Sequence, residues 1–462
     1  MLTAFLQAFR TPDLRKKLLF TLGILAVFRL GAAIPTPGIS EKAVQFCTGL
    51  EKSSSAAGVY QLVNLFSGGA LLRLSVFALG IMPYITASII LQLLAVVIPR
   101  LETLRQEGQA GQAKITQYTR YLTIGLAILQ STGIVAYTRS GNLFSGCTEQ
   151  LIPNPSVFTI ATMVITMTSG TAVIMWLGEL ITDRGVGNGM SVLIFTTVIS
   201  QMAGYMVDVY NTKHIVVLLV VALVAVAIVA FVVFMEQAQR RIPVQYAKRV
   251  VGRKVYGGQA TYLPLRVNTG GVIPVIFAGS VVTIPTVLAS MWPNSAWVQD
   301  TANYIKYGQP LYYLLQVIAI VFFSYFYISI IFNPVDLAEN MRKYGGFIPG
   351  IRPGKRTSEY IDRILTRITL VGSLYLAAVC LLPEFLLTGF HIAGIPWLGP
   401  KLDPFFPLWF KEGMGITFYF GGTSLLIVVG VAMDTIQQVE SQLVMRNYEG
   451  FMKRSRIRGR RA

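Results

Sequence analysis

The side chains that most often carry out catalysis or bind metals are scarce in this sequence and lie far apart. The chain has only two histidines, His214 and His391. Its three cysteines do not follow a zinc or thioredoxin spacing, and Cys380 lies in an apolar run where a packed thiol is expected. Neither paired aspartates, a serine–histidine arrangement nor an H-E-x-x-H motif falls within the apolar runs. The sequence therefore predicts no enzyme, no metal site and no cofactor.

Two clusters of basic residues form a second group of side chains that could act, by binding anions. The first lies in segment 236–270 and the second in segment 334–365; their members are Arg240, Arg241, Lys248, Arg249, Arg253, Lys254, Arg352, Lys355 and Arg356. Segment 236–270 alternates apolar and polar residues around Gly257-Gly258, which predicts a β-hairpin. A stiff basic hairpin favours a dock for a large acidic or RNA-containing partner, through contacts with phosphates or carboxylates. Attraction to anionic lipid is the alternative.

Long apolar runs provide the elements that must position these residues. The chain is 53% hydrophobic and only 13% charged, whereas about a quarter of an average soluble protein is charged. A bilayer is crossed by about 20 apolar residues in a helix. The runs of that kind are 18–35, 74–98, 118–137, 157–177, 186–209, 215–235, 272–291, 311–332, 368–387 and 416–436. We therefore predict an all-α polytopic membrane protein with ten transmembrane helices.

The distribution of basic residues predicts the orientation of these spans. If the N-terminus is inside, most of the 39 Lys and Arg residues also lie inside, as the positive-inside rule requires. The outer loops then hold only Lys42, Lys52, Arg73, Arg139, Lys213, Lys306, Lys401 and Lys411. Both termini are thus predicted to be cytoplasmic: an amphipathic segment, 1–17, and a basic tail, 437–462. Arg29 lies near the outer end of the first span, where its side chain is expected to snorkel outward.

The stretch before the second span is unusual for a membrane protein. A short helical pattern, Tyr60 to Phe66, cannot cross a bilayer and is broken by Ser67-Gly68-Gly69. Pro83 follows within the second span, after Gly80, and is expected to kink it. A half-helix, a glycine hinge and a kinked span suggest a gated cavity. The alternative is a re-entrant loop followed by an ordinary kinked helix.

A short internal repeat relates the two halves of the chain. The sequence G-x-x-P-x-I occurs at 80–85 and again at 271–276, in the second span of each set of five. Five spans reverse the direction of the chain, so the repeat predicts two inverted halves, 18–209 and 210–436, with functional sites at their interface.

Aliphatic residues would then meet at the middle of the membrane. Ile85 and Ile276 occupy the same place in the two repeats, and Met190 and Ile194 share one face of the fifth span. An aliphatic constriction blocks ions by dewetting, because nothing replaces their lost hydration. Since it makes no specific bonds, it can also stretch around a passing chain. Ordinary packing is the alternative role for these residues.

Several longer motifs closely resemble the SecY family, the channel subunits of the bacterial protein-conducting translocon. They are NLFSGGALLRLSVFALGIMPYITASIILQLL, GELITDRGVGNGMS, GGVIPVIF, NPVDLAENMRKYGGFIPGIRPGKRT and FGGTSLLIVVGVAMDTIQQVESQL, and the resemblance extends over essentially the whole chain. It implies a ten-span clamshell through which unfolded polypeptides pass outward across the cell membrane. A lateral seam between the halves would release apolar segments into lipid.

The resemblance also implies roles for individual residues. The family's pore ring falls on Ile81, Ile85, Met190, Ile194, Ile276 and Ile427. Its plug and hinge fall on Tyr60, Gln61, Leu62, Val63, Asn64, Leu65, Phe66, Ser67, Gly68 and Gly69. The two basic clusters match the family's docking site for the ribosome and the motor ATPase SecA, with Arg352 the first candidate. The tail, including Tyr448, resembles the region that contacts the motor.

The same resemblance implies the partners. They are the small subunit SecE, the accessory subunit SecG, SecA, ribosomal RNA, preproteins with their signal peptides, and membrane lipid. Cys47 and Cys147 both lie in loops predicted to be outside, where disulfides persist, and could form a bridge.

The main rival function is a secondary transporter of a small solute, which also uses inverted repeats and broken helices. A transporter needs polar or ionisable groups near mid-membrane. The spans offer only Arg29 near one end and Asp434 near the other. The aliphatic pore candidates favour a seal over a binding site.

Overall fold

The computed structural model describes residues 11–51, 67–139, 149–246, 249–251, 254–256, 261–291, 297, 300–301, 304–305, 309–389 and 422–454. Helices account for most of this part of the chain. They are α1 (Pro12–Ala33), α2 (Glu41–Glu51), α3 (Met82–Val97), α4 (Pro99–Gln106), α5 (Gln109–Arg139), α6 (Val157–Arg184), α7 (Gly189–Gln237), α8 (Ile273–Met291), α9 (Pro310–Ile331), α10 (Pro334–Lys343), α11 (Lys355–Thr388) and α12 (Gly422–Arg454). The strands are β1 (Gln239–Tyr246), β2 (Arg249–Val251), β3 (Lys254–Tyr256), β4 (Thr261–Arg266) and β5 (Gly346–Phe347).

The chain divides into two compact units. The first unit comprises Met1–Gly204 and Val431–Ala462, and the second comprises Tyr205–Gly430. The boundaries fall inside α7 and inside α12, so each of these helices contributes to both units. The predicted inverted halves, 18–209 and 210–436, remain a prediction.

Four helices of the described chain are long and apolar enough to cross a membrane. They span Val157–Arg184, Leu218–Gln237, Pro310–Lys343 and Lys355–Pro383. A fifth span results if Met82–Ala95 and Pro99–Arg105, which meet at a bend of 102°, are counted together. Within the described residues, the other predicted spans coincide with helices or parts of helices, as expected where a lipid environment requires every backbone polar group to be bonded within the helix.

The structure differs from the sequence prediction at the fifth and sixth spans. We expected a loop at 210–214 between them, but α7 is helical throughout, from Gly189 to Gln237. The predicted loop contains polar residues but neither glycine nor proline, so nothing in it removes a backbone hydrogen bond.

The start of the second span also differs from its prediction. Residues 68–80 form turns, and the helix begins only at Met82 rather than at 74. Pro83 therefore lies in the first helical turn, where a missing N–H costs nothing, and it does not kink the helix. Leu74, with φ of +45°, is in the left-handed region, and its carbonyl oxygen accepts from the N–H of Thr36 at 3.0 Å.

Small residues hold this turn segment between α1 and α6. Phe77 packs against Gly31 of α1, where an added Cβ would lie 2.1 Å from the aromatic ring. On the other side, a Cβ at Gly170 of α6 would lie 2.1 Å from the carbonyl oxygen of Val76. These close approaches fix the segment that leads into α3, and with it the first residues of the predicted pore.

The predicted β-hairpin of segment 236–270 is present, but its reversal lies elsewhere. β1 and β4 pair antiparallel, with Arg240 opposite Leu265, and the same register continues into β2 and β3. The innermost pair is Val251 and Lys254, so the chain reverses between these two residues and not at Gly257-Gly258. Backbone pairing decides the position of the turn, and glycine content alone is a weaker signal.

An apolar cluster of the first unit includes Cys47. Cys47 is 1% exposed and packs in a core with Val44, Leu151 and Met163, among others. The N–H of Ser40 donates to the carbonyl oxygen of Leu151 at 3.0 Å, which joins the two predicted outer loops. Cys47 is disulfide-bonded, whereas Cys380 is buried and belongs to no disulfide. The remaining cysteine of the sequence, Cys147, lies outside the described residues.

We expect this disulfide to link Cys47 to Cys147 in the membrane protein. The bridge would close a loop of about 100 residues, so the unreduced chain should migrate faster than the reduced chain in a denaturing gel. Cys47→Ser and Cys147→Ser should each abolish the shift, whereas Cys380→Ser should keep it. Labelling of Cys47 by a maleimide in unreduced, unfolded protein would contradict the assignment.

Candidate pore and docking sites

The first two pore candidates lie at the beginning of α3. Ile81 directly precedes the helix and is 2% exposed, and Ile85 is half-buried. The N–H of Ile85 donates to the carbonyl oxygen of Ile81 at 3.1 Å. The two side chains are therefore one helical turn apart and share one face.

The next two candidates belong to the first turns of α7, whose start is fixed by close contacts with α6. The N–H of Gly189 donates to Oγ1 of Thr182 at 2.9 Å, and a Cβ at Gly189 would lie 1.8 Å from the carbonyl oxygen of Gly178. Met190 packs its sulfur against Gly178, and Ile194 is buried one turn later. All four candidates so far belong to the first unit.

The last two candidates belong to the second unit. Ile276 is half-buried on α8, and its N–H donates to the carbonyl oxygen of Val272 at 3.3 Å. Ile427 lies on α12 and is 3% exposed. Val272 packs against Gly430 of α12, where an added Cβ would lie 3.4 Å from its side chain. Closure of the six side chains into one ring remains a prediction.

The internal repeat has the same local structure in both units. Gly80 and Gly271 have φ of +58° and +61°, a left-handed conformation that glycine adopts without strain. In each repeat the helix begins two residues after this glycine, so the proline falls in its first turn. The same pattern of backbone bonds follows, from residues five and six of the repeat to residue two.

This equivalence makes Val272 a further pore candidate, which the sequence did not predict. Val272 occupies in the second repeat the place that Ile81 occupies in the first, directly before the helix. The repeat itself carries the signal, because Ile81 and Val272 both directly follow its glycine. Val272 is half-buried and aliphatic, as a pore position requires.

Only the hinge of the predicted plug can be located. Tyr60 to Phe66 lie outside the described residues. Ser67 is buried, and its Oγ accepts from the N–H of Leu71 at 3.2 Å. Gly68 and Gly69 follow with φ of +66° and +87°. Two consecutive left-handed residues require glycine, so the predicted hinge is a sharp turn.

Arg29 does not snorkel outward as we predicted. Its guanidinium donates to the carbonyl oxygen of Gly68 at 3.2 Å and also to the hydroxyl of Ser200 on α7. The prediction was wrong because it considered only the cost of a charge in lipid, whereas polar groups of the same unit are within reach. Arg29 is the only charged residue of the predicted first span, and that isolation was the available signal.

The basic clusters of the second unit are brought together on a common framework. β1 lies between β4 and β5 in one sheet, so the hairpin pairs with the segment that follows α10. Below the sheet, one apolar core contains Ile242 of β1, Leu265 of β4, Met341 of α10 and Ile361 of α11. We call this assembly of β1, β4, β5, α10 and the start of α11 the basic platform.

The cations of the platform are presented to solvent. Arg240, Arg241, Arg352, Lys355 and Arg356 are all exposed. Arg249 and Lys254 belong to β2 and β3, and their side chains are not described; Lys248 and Arg253 lie outside the described residues. Tyr448 lies on α12, and its side chain is likewise not described.

The turn that carries Arg352 is held by a hydrogen bond from the first turn of α11. Oγ1 of Thr357 donates to the carbonyl oxygen of Arg352 at 2.9 Å. Gly350 and Gly354, with φ of +81° and +107°, reverse the chain on either side. Arg352 is therefore a cation on a fixed backbone, suited to contacts with a phosphate or a carboxylate. In the described part of the chain, no group of three or more His, Cys, Asp or Glu side chains could hold a metal ion.

Comparison with known proteins agrees with this architecture. A family model described as SecY matches residues 75–436. The protein translocase subunit SecY of Streptomyces coelicolor is 54% identical over 471 residues, which cover 98% of this chain and all of that relative.

Two solved structures show the same fold. One, described as the structure of a protein conducting channel, has a TM-score of 0.59 at 16% identity and covers 93% of this chain and 92% of its own. The other is Sec61 in the canine ribosome-channel complex from the endoplasmic reticulum, with a TM-score of 0.57 at 16% identity and the same coverage. These likenesses confirm the predicted resemblance and the predicted class, a helical polytopic fold consistent with a ten-helix clamshell.

Proposed function

This chain belongs to the SecY family, and we propose from that membership that it is the central channel subunit of a protein translocase. Unfolded preproteins would pass through it across the cell membrane, and apolar segments would leave it laterally into lipid. The observation that best supports the proposal is the matched pair of helix starts at Gly80 and Gly271. They present the aliphatic side chains of Ile85 and Ile276 in the same local geometry, once in each unit.

An aliphatic constriction explains how one channel can be both tight and permissive. Ions are excluded because isoleucine and methionine side chains offer no group that replaces lost water. An extended peptide is admitted because these side chains move apart without breaking any specific bond. Met190 suits this role because its thioether side chain is unbranched and flexible.

The work of moving a polypeptide would come from partners. The chain contains no phosphate-binding loop in its predicted cytoplasmic segments, so it would act as a passive conduit and not as an enzyme. We assign the basic platform to two partners that push substrate into the channel, the SecA motor ATPase and the ribosome. The canine Sec61 structure, which has the same fold, is part of a ribosome-channel complex. Here, Arg240, Arg241 and Arg352 are the exposed cations that would contact ribosomal RNA or acidic side chains.

Membership of the SecY family also implies the other subunits, the orientation in the membrane and the place of the plug. SecE would clamp the two halves, and SecG would be an accessory subunit. The charge distribution of the loops favours a multi-pass protein whose termini are both cytoplasmic. The plug would rest on the hinge Ser67–Gly69.

Crosslinking during transport tests the proposal. A photoreactive residue at Ile81 or Val272 should crosslink to a preprotein arrested halfway through vesicles that contain this chain, its small partner and the motor. The same residue at Ile128, which is 48% exposed on α5, should crosslink to lipid only. Transport of a small solute with no crosslink to preprotein would instead favour a secondary transporter, a function that the likeness to known proteins does not support.

A further inference from the structure

We propose that Arg29 is a positioning residue for the plug, because its guanidinium fastens the hinge Ser67–Gly69 to α7 in the closed channel. This inference rests on the proposed function. It concerns a residue outside the pore ring, the plug and the basic platform.

The contacts of Arg29 join three separate parts of the first unit. The residue itself lies on α1, its first acceptor is the carbonyl oxygen of Gly68 in the hinge, and its second acceptor is Ser200 on α7. Gly68 is 39 residues away in sequence and Ser200 is 171 residues away. One planar guanidinium can bond both acceptors at once, because its donors form a fixed fork.

The hinge is also packed tightly against the same helix. A Cβ added at Gly68 would lie 3.2 Å from the side chain of Thr197, and one at Gly69 would lie 2.9 Å from Nε2 of Gln201. Thr197, Ser200 and Gln201 are neighbours on α7, so the hinge rests on one face of that helix. Arg29 bonds both Gly68 of the hinge and Ser200 of that face.

The position of this charge makes the contact costly to break. Arg29 is half-buried within a predicted span, and hydrogen bonds to a charged group are stronger than those between neutral groups. The exposed cation Arg73 lies within electrostatic range, and its repulsion makes acceptors more important for Arg29. If the hinge moved away, the half-buried guanidinium would lose the carbonyl oxygen of Gly68 as an acceptor. The contact therefore favours the closed state.

Leak conductance of the reconstituted channel tests the inference. Arg29→Met removes every donor while keeping an unbranched side chain, and the channel without substrate should conduct ions at least about tenfold more, as expected for loss of bonds to a charge. Arg29→Lys, which keeps one cation but not the fork, should restore part of the seal. The matched control is Lys16→Met, which removes one charge from an exposed position of the same helix. It should leave conductance unchanged.

A second, milder variant guards against a folding defect. Ser200→Ala removes only one acceptor and should raise the leak in the same direction but less. Its control is Thr162→Ala on α6, where the exposed hydroxyl donates only to its own helix. Arg29→Met and Ser200→Ala should both retain the thermal stability of the purified complex. Both should also pass preproteins with weakened signal peptides more readily than the unmodified channel.

Comparison with a pore variant separates the two possible failures. If Arg29→Met is as tight as the unmodified channel while Ile85→Asn leaks, the role of Arg29 is refuted and the proposed function stands. If the unmodified chain passes no preprotein in the same vesicles, the proposed function itself is refuted.

Discussion

Replacing Ile85 by asparagine is expected to let ions leak through the closed channel. An amide at the constriction offers hydrogen bonds to water, so the stretch that excludes ions by dewetting becomes wet. The free energy of a buried, unbonded polar group is about 1–3 kcal/mol, which corresponds to a shift of about 5–150-fold between dry and wet states. Ile427→Asn should act in the same way, since Ile427 is buried to 3% exposure on α12.

The measurement is ion conductance of the purified complex in planar bilayers without substrate. Ile85→Leu keeps an aliphatic side chain and should remain tight. Ile128→Asn places the same amide on α5 at a position that is 48% exposed, and it should not leak. Equal, low conductance for all four proteins would show that Ile85 and Ile427 are packing residues and not part of a seal.

Among the substitutions proposed for this chain, charge reversal at Arg352 is expected to cause the largest loss of motor-driven export. Arg352 is exposed on a backbone fixed by Thr357 and Gly354, so glutamate at this position would present a negative charge to an acidic partner. A like-charge contact across an interface costs several kcal/mol, and each 1.4 kcal/mol is about tenfold in affinity. We therefore expect Arg352→Glu to weaken motor binding by about tenfold to a hundredfold.

The measurements are motor affinity and transport of a preprotein into vesicles. Because Arg352 lies outside the apolar core of the platform, the fold should be unchanged, and thermal stability should remain that of the unmodified protein. The matched control is Lys42→Glu, which makes the same change of charge at an exposed position of α2, in a loop predicted to be outside. Undiminished motor affinity in Arg352→Glu would remove the platform from the proposed docking site.

The pore and the platform differ in how much of each could be predicted. The aliphatic pore positions came from a six-residue repeat, and the structure gives both copies the same glycine conformation and the same first helical turn. The repeat was informative because glycine and proline restrict the backbone locally. The meeting of the two basic clusters on one sheet was not predictable, since the pairing of Gln245 with Phe347 joins residues about 100 positions apart.

The errors have a common origin in local reasoning. Pro83 was expected to kink a span, yet the helix starts one residue before it because residues 68–80 are held as turns by α1 and α6. Gly257-Gly258 was expected to form the hairpin tip, yet the register of the strands closes between Val251 and Lys254. In the first case contacts with α1 and α6 outweighed the local signal, and in the second the pairing of the hairpin strands did so.

The sequence by itself determined that the chain is a helical membrane protein, and it predicts which side of the membrane each loop occupies. These properties depend on the preference of each residue for lipid or water and on the number of cations in each loop, and both are sums along the chain. Only the tertiary structure decided that Arg29 bonds Gly68 and Ser200 instead of reaching the surface. The fate of a charge in a membrane depends on which acceptors folding brings within hydrogen-bond distance, and those acceptors lie far away in the sequence.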